Sequence, residues 1–142
     1  MLIRHLSHGE DFRLNRCPGS VDHYIPQLKK LQAQADADGY DLAVKSACSD
    51  FRIILERTVE FILLHDVVAR FRRDVMTKGK LRGVAKVTAV DCDYLDRLMT
   101  TYSMYEHSQA DELPQVPVEL DVFEQDVLEL VTWMDEFKGR VV

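Results

Sequence analysis

The stretch that decides the fold runs from Tyr40 to Met76 and reads YDLAVKSACSDFRIILERTVEFILLHDVVARFRRDVM, with neither Gly nor Pro. Apolar residues recur in it at steps of three and four, the spacing of one face of an α-helix. They are Val44, Ala47, Cys48, Phe51, Ile54, Leu55, Val59, Ile62 and Ala69. A second apolar side is formed by Ile53, Phe61, Leu63, Leu64, Val67 and Val68. A helix with one solvent-exposed face needs only one apolar side. We therefore predict a central helix over 40–76 that is contacted by neighbours from two directions. This helix could break near His65-Asp66.

The region before this helix divides into an arm and a shorter helix. Residues 1–20 are polar and irregular, and we interpret them as an N-terminal arm. Asp22 can cap a helix that runs to about Asp38, because a carboxylate accepts hydrogen bonds from the free N–H groups of the first turn. Gly39 would then end this helix in the left-handed conformation.

Two more helices are expected after the central stretch. Thr88, with Asp91 three positions later, resembles a capping box and opens a helix that runs to about Gln109. The last helix spans about Leu120 to Phe137 and ends at Gly139. Each of these helices has an apolar stripe that needs cover from a neighbour.

The composition favours the same architecture. The chain has 142 residues, of which 46% are apolar and 30% are charged, as in ordinary globular proteins. Only six Gly and four Pro occur, too few turn formers for a sandwich or barrel of many strands. The predicted fold class is all-α: a helical bundle of four to five helices with a long central helix. We expect the arm of residues 1–20 to precede a single helical domain over 21–142.

Several classes of protein and site are excluded by features that the sequence lacks. The longest apolar run, Phe61 to Leu64, is too short to cross a membrane, and the N-terminus lacks the apolar stretch of a signal peptide. We therefore predict a cytoplasmic protein without a membrane partner. The three cysteines, Cys17, Cys48 and Cys92, form no CxxC pair, so we expect buried reduced thiols and no metal site. The motifs GxxxxGK(S/T), GxGxxG, HExxH and GxSxG are absent, and no cofactor is predicted.

One arrangement of residues could carry catalysis. Arg52 and Glu56 are four positions apart and share one face of the central helix, and His107 lies at the end of the third helix. A His can transfer a proton near neutral pH, an Arg can stabilise charge on a phosphate, and a Glu can orient either group. The three residues would suit metal-free cleavage of RNA. The alternative is structural: a helix salt bridge for Arg52 and Glu56, and a favourable interaction of His107 with the helix dipole.

Charge is segregated along the chain, whose formal net charge is −6. Ten acidic residues and no Lys or Arg lie between Glu106 and Glu136. Seven basic residues lie between 70 and 86 and define what we call the basic segment: Arg70, Arg72, Arg73, Lys78, Lys80, Arg82 and Lys86. The two blocks could neutralise each other within the fold or across a dimer. Alternatively, the basic segment binds nucleic-acid phosphates.

Several strings in the chain resemble one family of proteins. They are SACSDFRIILERTVE at 46–60, DCDY at 91–94, YS at 102–103 and YEHSQ at 105–109, and the helix of Trp133 also looks similar. From about residue 40 to 138 the chain resembles the C-terminal helical region of SMC-like AAA-type ATPases of bacterial restriction or phage-defence loci. Their Walker A, signature and Walker B motifs are absent here. The resemblance implies a helical accessory or interaction domain that lacks the ATPase itself and forms a homodimer or docks on a larger ATPase.

A looser resemblance concerns the helical HEPN and anticodon ribonucleases, which combine an Arg-x-x-x-Glu element with a later His. Arg52, Glu56 and His107 match this pattern, although the nearest Arg before His107 is Arg97, farther away than in the usual signature. This resemblance implies a metal-independent ribonuclease. Three functions are thus expected, in this order: a non-enzymatic interaction domain, a ribonuclease with these three catalytic residues, and a non-catalytic nucleic-acid-binding domain that uses the basic segment.

Overall fold

Four α-helices make up most of the described structure. A computed structural model describes residues 24–107 and 118–142, and these residues contain no β-strand, which confirms the all-α prediction. The helices are α1 (Tyr24–Ala33), α2 (Ala37–Thr58), α3 (Ala89–His107) and α4 (Leu120–Lys138). A π-helical turn (Val59–Leu63) continues α2, and a 3₁₀ helix (Leu81–Lys86) precedes α3. The arm 1–20, the Asp22 cap and the expected helix end at Gln109 lie outside the described residues.

The central position of α2 is confirmed by the burial of its apolar side chains. Phe51, Ile54 and Leu55 are all buried. The Phe51 ring meets the Tyr102 ring of α3 edge-on, with centroids 4.7 Å apart, and the Phe123 ring of α4 with centroids 5.7 Å apart. One side chain of α2 therefore contacts both later helices, and edge-to-face ring pairs add stabilisation beyond the burial of their area.

The central helix ends earlier than the periodicity predicts. Helical hydrogen bonding stops after Leu63, and the chain turns through His65 and Asp66, whose φ angles are 53° and 61°. The Asp66 N–H donates back to the carbonyl of Glu60 at 3.0 Å. The break near His65-Asp66 is therefore confirmed, and the helix expected from there to Met76 is wrong.

A buried carboxylate explains this early end. Asp66 is buried, and its carboxylate binds Arg72 at 2.7 Å and Lys80 at 2.8 Å. Arg72 also donates to the carbonyls of Asp66 and Val67, at 2.6 and 2.9 Å. In a straight helix the Cα atoms of residues 66 and 80 would lie about 21 Å apart. Because the two side chains form an ion pair, the chain between them has to fold back as a loop.

The turn between α1 and α2 also differs from the expectation. α1 ends at Ala33, and Ala35 takes the left-handed conformation with φ 54°. Gly39 lies in the first turn of α2, where its N–H donates to the carboxylate of Asp36, the N-cap, at 3.0 Å. A Cβ at Gly39 would lie 2.6 Å from Asp36 Oδ2. The prediction that Gly39 ends a helix at Asp38 is wrong because Asp36 starts one there.

The capping box predicted for α3 is confirmed and extends into a buried ion pair. The Thr88 N–H donates to Asp91 Oδ2 at 2.8 Å, and the Asp91 N–H donates to Thr88 Oγ1 at 3.3 Å. Asp91 is 1% exposed and accepts from Trp133 Nε1 at 2.9 Å and from both terminal nitrogens of Arg140 at 2.6 and 2.9 Å. The Arg140 guanidinium holds the pKa of this carboxyl well below its usual range. The start of α3 is thereby tied to the end of α4.

The last helix agrees with its prediction. α4 begins at Leu120, ends one residue beyond Phe137, and is followed by Gly139 with a right-handed φ of −80°. Its buried stripe faces the core through Phe123, Val127, Leu130, Met134 and Phe137. None of the helices in the two described ranges has a run both long and apolar enough to span a bilayer.

The cysteine prediction is correct for one of the two described thiols. Cys48 is buried, and burial raises its pKa to about 12. Cys92 is exposed, so the expectation of a buried thiol is wrong there. It follows the buried Asp91 in α3, and one residue turns an α-helix by about 100° away from the core. Cys17 lies outside the described residues.

We expect Asp91→Asn to lower the free energy of unfolding by about 2–3 kcal/mol at pH 7, because Arg140 loses a buried charged partner. Urea denaturation followed by far-UV circular dichroism measures this change. Glu136→Gln is the matched control: Glu136 is exposed and binds the same Arg140 at 2.6 Å, so its removal should cost clearly less than that of Asp91, because solvent screens an exposed pair. Equal losses in the two variants would contradict the special role of the buried carboxylate.

The same carboxyl predicts a pH dependence of stability. Its folded-state pKa lies below the unfolded value, so its contribution is fully present above a pH of about 4 and is lost as the pH falls through the folded-state pKa. The difference in unfolding free energy between the wild type and Asp91→Asn should therefore shrink on acidification below about pH 4. A difference that stays constant down to the acid transition would refute this assignment.

Candidate functional site

Two of the three predicted catalytic residues form a salt bridge on α2. Arg52 Nη1 lies 3.1 Å from Glu56 Oε1, and Arg52 Nε donates to Ser103 Oγ of α3 at 2.8 Å. His107 is the last residue of α3, and its side chain lies outside the described part of the chain. Its position is one turn beyond Ser103 and on the same helix face. The structure thus brings Arg52 and Glu56 together and sets them one helical turn from the position of His107.

Arg70 also binds Glu56, a contact that no sequence pattern predicts. Arg70 Nη1 lies 2.8 Å from Glu56 Oε2, and Arg70 Nε lies 2.6 Å from Glu60 Oε1. The hydrogen bond to Glu60 raises the pKa of Arg70. We call Arg52, Glu56, Glu60 and Arg70 the Arg–Glu cluster. Its two cations and two carboxylates balance, so a phosphate at Arg52 would have to compete with Glu56.

The basic segment is only partly available to a ligand. Three of its members are ion-paired with acids of α2, the π-helical turn or the loop after it: Arg70, Arg72 and Lys80. Their described partners are therefore acids of the central helix and the loop after it, and the predicted neutralisation by the acidic block at 106–136 stays a prediction, since part of that block lies outside the described residues. Three others are exposed, namely Arg73, Lys78 and Arg82. The seventh, Lys86, donates from Nζ to the carbonyl of Lys138 at the end of α4, at 3.2 Å.

A cleft opens where the central helix breaks, and we call it the cationic cleft. Its volume is about 300 Å³, at the lower end of the range for small-molecule sites. The residues that line it come from the break, the basic segment and the end of α4: Phe61, Ile62, His65, Asp66, Lys80, Lys86, Phe137 and Lys138. Three lysines against one carboxylate give this cleft a net positive charge.

The position of His65 was not evident from the sequence, which marks this residue only as a break point. The imidazole packs on the backbone of the 3₁₀ helix, since a Cβ at Gly83 would lie 2.4 Å from His65 Cγ. His65 is half-buried and lines the cleft. The missing side chain at Gly83 therefore makes room for the ring.

A second depression, which we call the apolar groove, lies between the first half of α3 and α4. Its volume is about 590 Å³, and it is lined by Val90 and Tyr94 of α3 together with Gln125, Leu128, Glu129, Thr132, Trp133 and Glu136 of α4. Val90 is 75% exposed and Leu128 is 45% exposed. The Tyr94 hydroxyl is buried and has no hydrogen-bond partner within the described residues. This groove was not predicted, because it depends on how two distant helices pack.

Comparisons with known proteins give no assignment for these sites. No protein-family model matches the chain, and no curated protein or solved structure matches it. Across 24–107 and 118–142, no group of three or more His, Cys, Asp or Glu side chains could hold a metal ion. The candidates are therefore the Arg–Glu cluster, the cationic cleft and the apolar groove.

The ribonuclease alternative predicts RNA cleavage that needs no metal. Because Glu56 binds two arginines and Arg52 is also held by Ser103, we expect the purified protein to leave single-stranded RNA intact in EDTA. A labelled oligoribonucleotide resolved on a denaturing gel measures this. Cleavage that persists in EDTA and disappears in His107→Ala would overturn the expectation and establish the ribonuclease.

Proposed function

We propose that this protein is a non-catalytic helical interaction domain, and that its apolar groove receives a basic amphipathic helix of a partner protein. The observation that carries the proposal is a groove with exposed apolar side chains, Val90 and Leu128, inside an acidic rim. Exposed apolar patches with a polar rim commonly mark protein interaction sites. Docking of an amphipathic helix into such a groove is a recurrent mode of recognition.

The dimensions of the groove favour a helix as the occupant. The six lining residues of α4 run from Gln125 to Glu136 at alternating steps of three and one, and so form one stripe along the helix. At 1.5 Å per residue this stripe is about 16 Å long. A partner helix of about three turns would cover that length.

The negative charge around the groove favours a partner helix that carries basic residues. Between Leu120 and Phe137, α4 carries six acidic residues and no Lys or Arg. Glu129 and Glu136 line the groove, and Glu136 is bound by Arg140 at 2.6 Å. A partner helix with Lys or Arg beside its apolar face would complement this rim, whereas an acidic helix would be repelled.

The Tyr94 hydroxyl adds a polar requirement to the site. Burial raises the pKa of Tyr94, so the hydroxyl keeps its proton and remains a donor. A buried polar group without a hydrogen bond costs about 1–3 kcal/mol. Because this hydroxyl is closed to solvent, the Tyr94 side chain would have to turn toward the groove for it to donate to an acceptor on the partner helix, and that bond would recover part of the cost.

The resemblance to SMC-like ATPases suggests where the partner helix comes from. The strings that carry it include Phe51 and Asp91, and these residues hold the bundle together. The resemblance therefore concerns the scaffold on which the groove is built. On this proposal the domain serves as an accessory to an ATPase of that class encoded on another chain.

A fluorescence titration tests the groove directly, because Trp133 is the only tryptophan and lines it. The probe is an amphipathic helical peptide of Leu and Lys, about four turns long. We expect a saturable change in Trp133 emission with this peptide and none with a Leu/Glu peptide of the same length. Leu128→Lys should weaken binding at least about tenfold, since it places a cation on the apolar surface.

The control for this titration is Leu42→Lys, which alters a 70% exposed leucine of α2 outside the groove. This variant should bind the Leu/Lys peptide as the wild type does. Equal weakening in the two variants would reject the groove as the docking face. A concentration-dependent dimer in sedimentation equilibrium that Leu128→Lys dissociates would assign the groove to a second copy of the chain instead.

A further inference from the structure

The geometry points to a binding site for a phosphate ester in the cationic cleft. This site is separate from the docking face, since the cleft and the apolar groove share no lining residue. A phosphate ester in the cleft is therefore a ligand in addition to the partner helix of the proposed function, and each can be tested without the other.

Two lysines of the cleft, Lys80 and Lys86, can donate further hydrogen bonds. Lys80 Nζ binds Asp66 Oδ2 at 2.8 Å, and Lys86 Nζ donates to the Lys138 carbonyl at 3.2 Å. An ammonium carries three N–H donors, so one described acceptor on each leaves further donors for an anion. Lys is a common phosphate ligand in proteins.

The carboxylate in the cleft does not repel an anion with its full charge. Asp66 is bound by Arg72 at 2.7 Å as well as by Lys80 at 2.8 Å. Its charge is thus offset by two cations, one of which lies outside the lining. The ammonium of Lys86, whose described hydrogen bond is to a neutral carbonyl, then supplies positive charge to the cleft.

The aromatic walls indicate that the phosphate carries an organic group. Phe61 and Phe137 both line the cleft. The Phe137 ring is buried between Trp133, whose centroid is 5.0 Å away, and the Arg140 guanidinium, 5.2 Å away, so it is a fixed wall and Phe61 is the ring left for a flat group to contact. Small-molecule sites combine mostly apolar walls with a few placed polar groups, and a phosphate ester with a flat group fits such a lining better than a bare ion does.

The backbone at the cleft is strained in the manner of a ligand site. His65 and Asp66 are consecutive non-Gly residues with positive φ, and a π-helical turn directly precedes them. Left-handed non-Gly residues and π-helical turns are concentrated at binding and catalytic sites. Both residues line the cleft, and a ring N–H of His65 directed into it would donate to a phosphate oxygen.

The phosphate ester could come from a free nucleotide or from the phosphorylated end of a nucleic-acid strand. Both present a terminal phosphate attached to a group that can stack on an aromatic ring. Adenosine monophosphate and a short 5′-phosphorylated single-stranded oligonucleotide serve as probes for the two sources. Adenosine and the unphosphorylated oligonucleotide are the paired controls.

Isothermal titration calorimetry at low salt tests the site with the full chain. We expect adenosine monophosphate to bind and adenosine not to bind. Lys138→Gln and Lys86→Gln should each weaken binding about tenfold, because each removes a charge-assisted hydrogen bond. Lys78→Gln is the matched control: it removes an exposed lysine of the same segment that does not line the cleft, and should leave affinity unchanged.

A further variant separates binding from the integrity of the fold. His65→Asn keeps a residue type that tolerates the left-handed conformation and removes the ring donor, so it should weaken binding several-fold while the circular dichroism and the unfolding midpoint stay close to those of the wild type.

Three results would overturn the inference. The first is the absence of any heat of binding with either phosphorylated probe. The second is equal weakening by Lys78→Gln and Lys138→Gln, and the third is equal binding of the phosphorylated and unphosphorylated oligonucleotides, since each of these two indicates diffuse attraction to the basic segment. If the cleft variants do weaken binding, the tighter of the two phosphorylated probes identifies the source.

Discussion

The bundle depends on one buried carboxylate. Asp91 caps the start of α3, accepts from the indole of Trp133 and is neutralised by Arg140 beyond the end of α4. A buried charge is tolerated only when it is paired and fully hydrogen-bonded, so these elements have to assemble together. The groove and the cleft rest on this assembly: Trp133 borders the apolar groove, and Arg140 also donates to the carbonyl of Lys86, which borders the cationic cleft.

The segregation of charge seen in the sequence is used in two ways by the fold. Three residues of the basic segment, Arg70, Arg72 and Lys80, form ion pairs within the fold. Their partners are Glu56, Glu60 and Asp66, and these pairs hold the loop after α2 against the helix. The cationic character that remains is concentrated where the central helix breaks. The acidic residues of α4 are used differently, because Glu129 and Glu136 form the rim of the apolar groove. The apolar groove is thus an apolar surface with an acidic rim, whereas the cationic cleft, where the central helix breaks, carries positive charge.

The sequence was informative wherever a local signal determines the outcome. Periodicity placed α2 at the centre, and the spacing of Thr88 and Asp91 predicted the start of α3. The salt bridge of Arg52 and Glu56 followed from their four-residue spacing. The early end of α2 could not be predicted in this way, because it depends on the contact between Asp66 and Lys80, fourteen positions apart, while the local apolar pattern continues. The cleft and the groove escaped prediction for the same reason: each is formed by elements that meet only after the chain has folded.

The π-helical turn at Val59–Leu63 makes the cationic cleft sensitive to the number of residues in the chain. Its hydrogen bond runs from the Leu64 N–H to the Val59 carbonyl at 2.9 Å, five positions back, so the turn holds one residue more than an α-helical turn does. Deletion of a single residue here would let the α-helix continue and would rotate every following side chain by about 100° around the axis. His65 and Asp66 would then leave the cleft without any change in their identity. The cleft therefore depends on the number of residues in this turn as well as on the identity of the residues that line it.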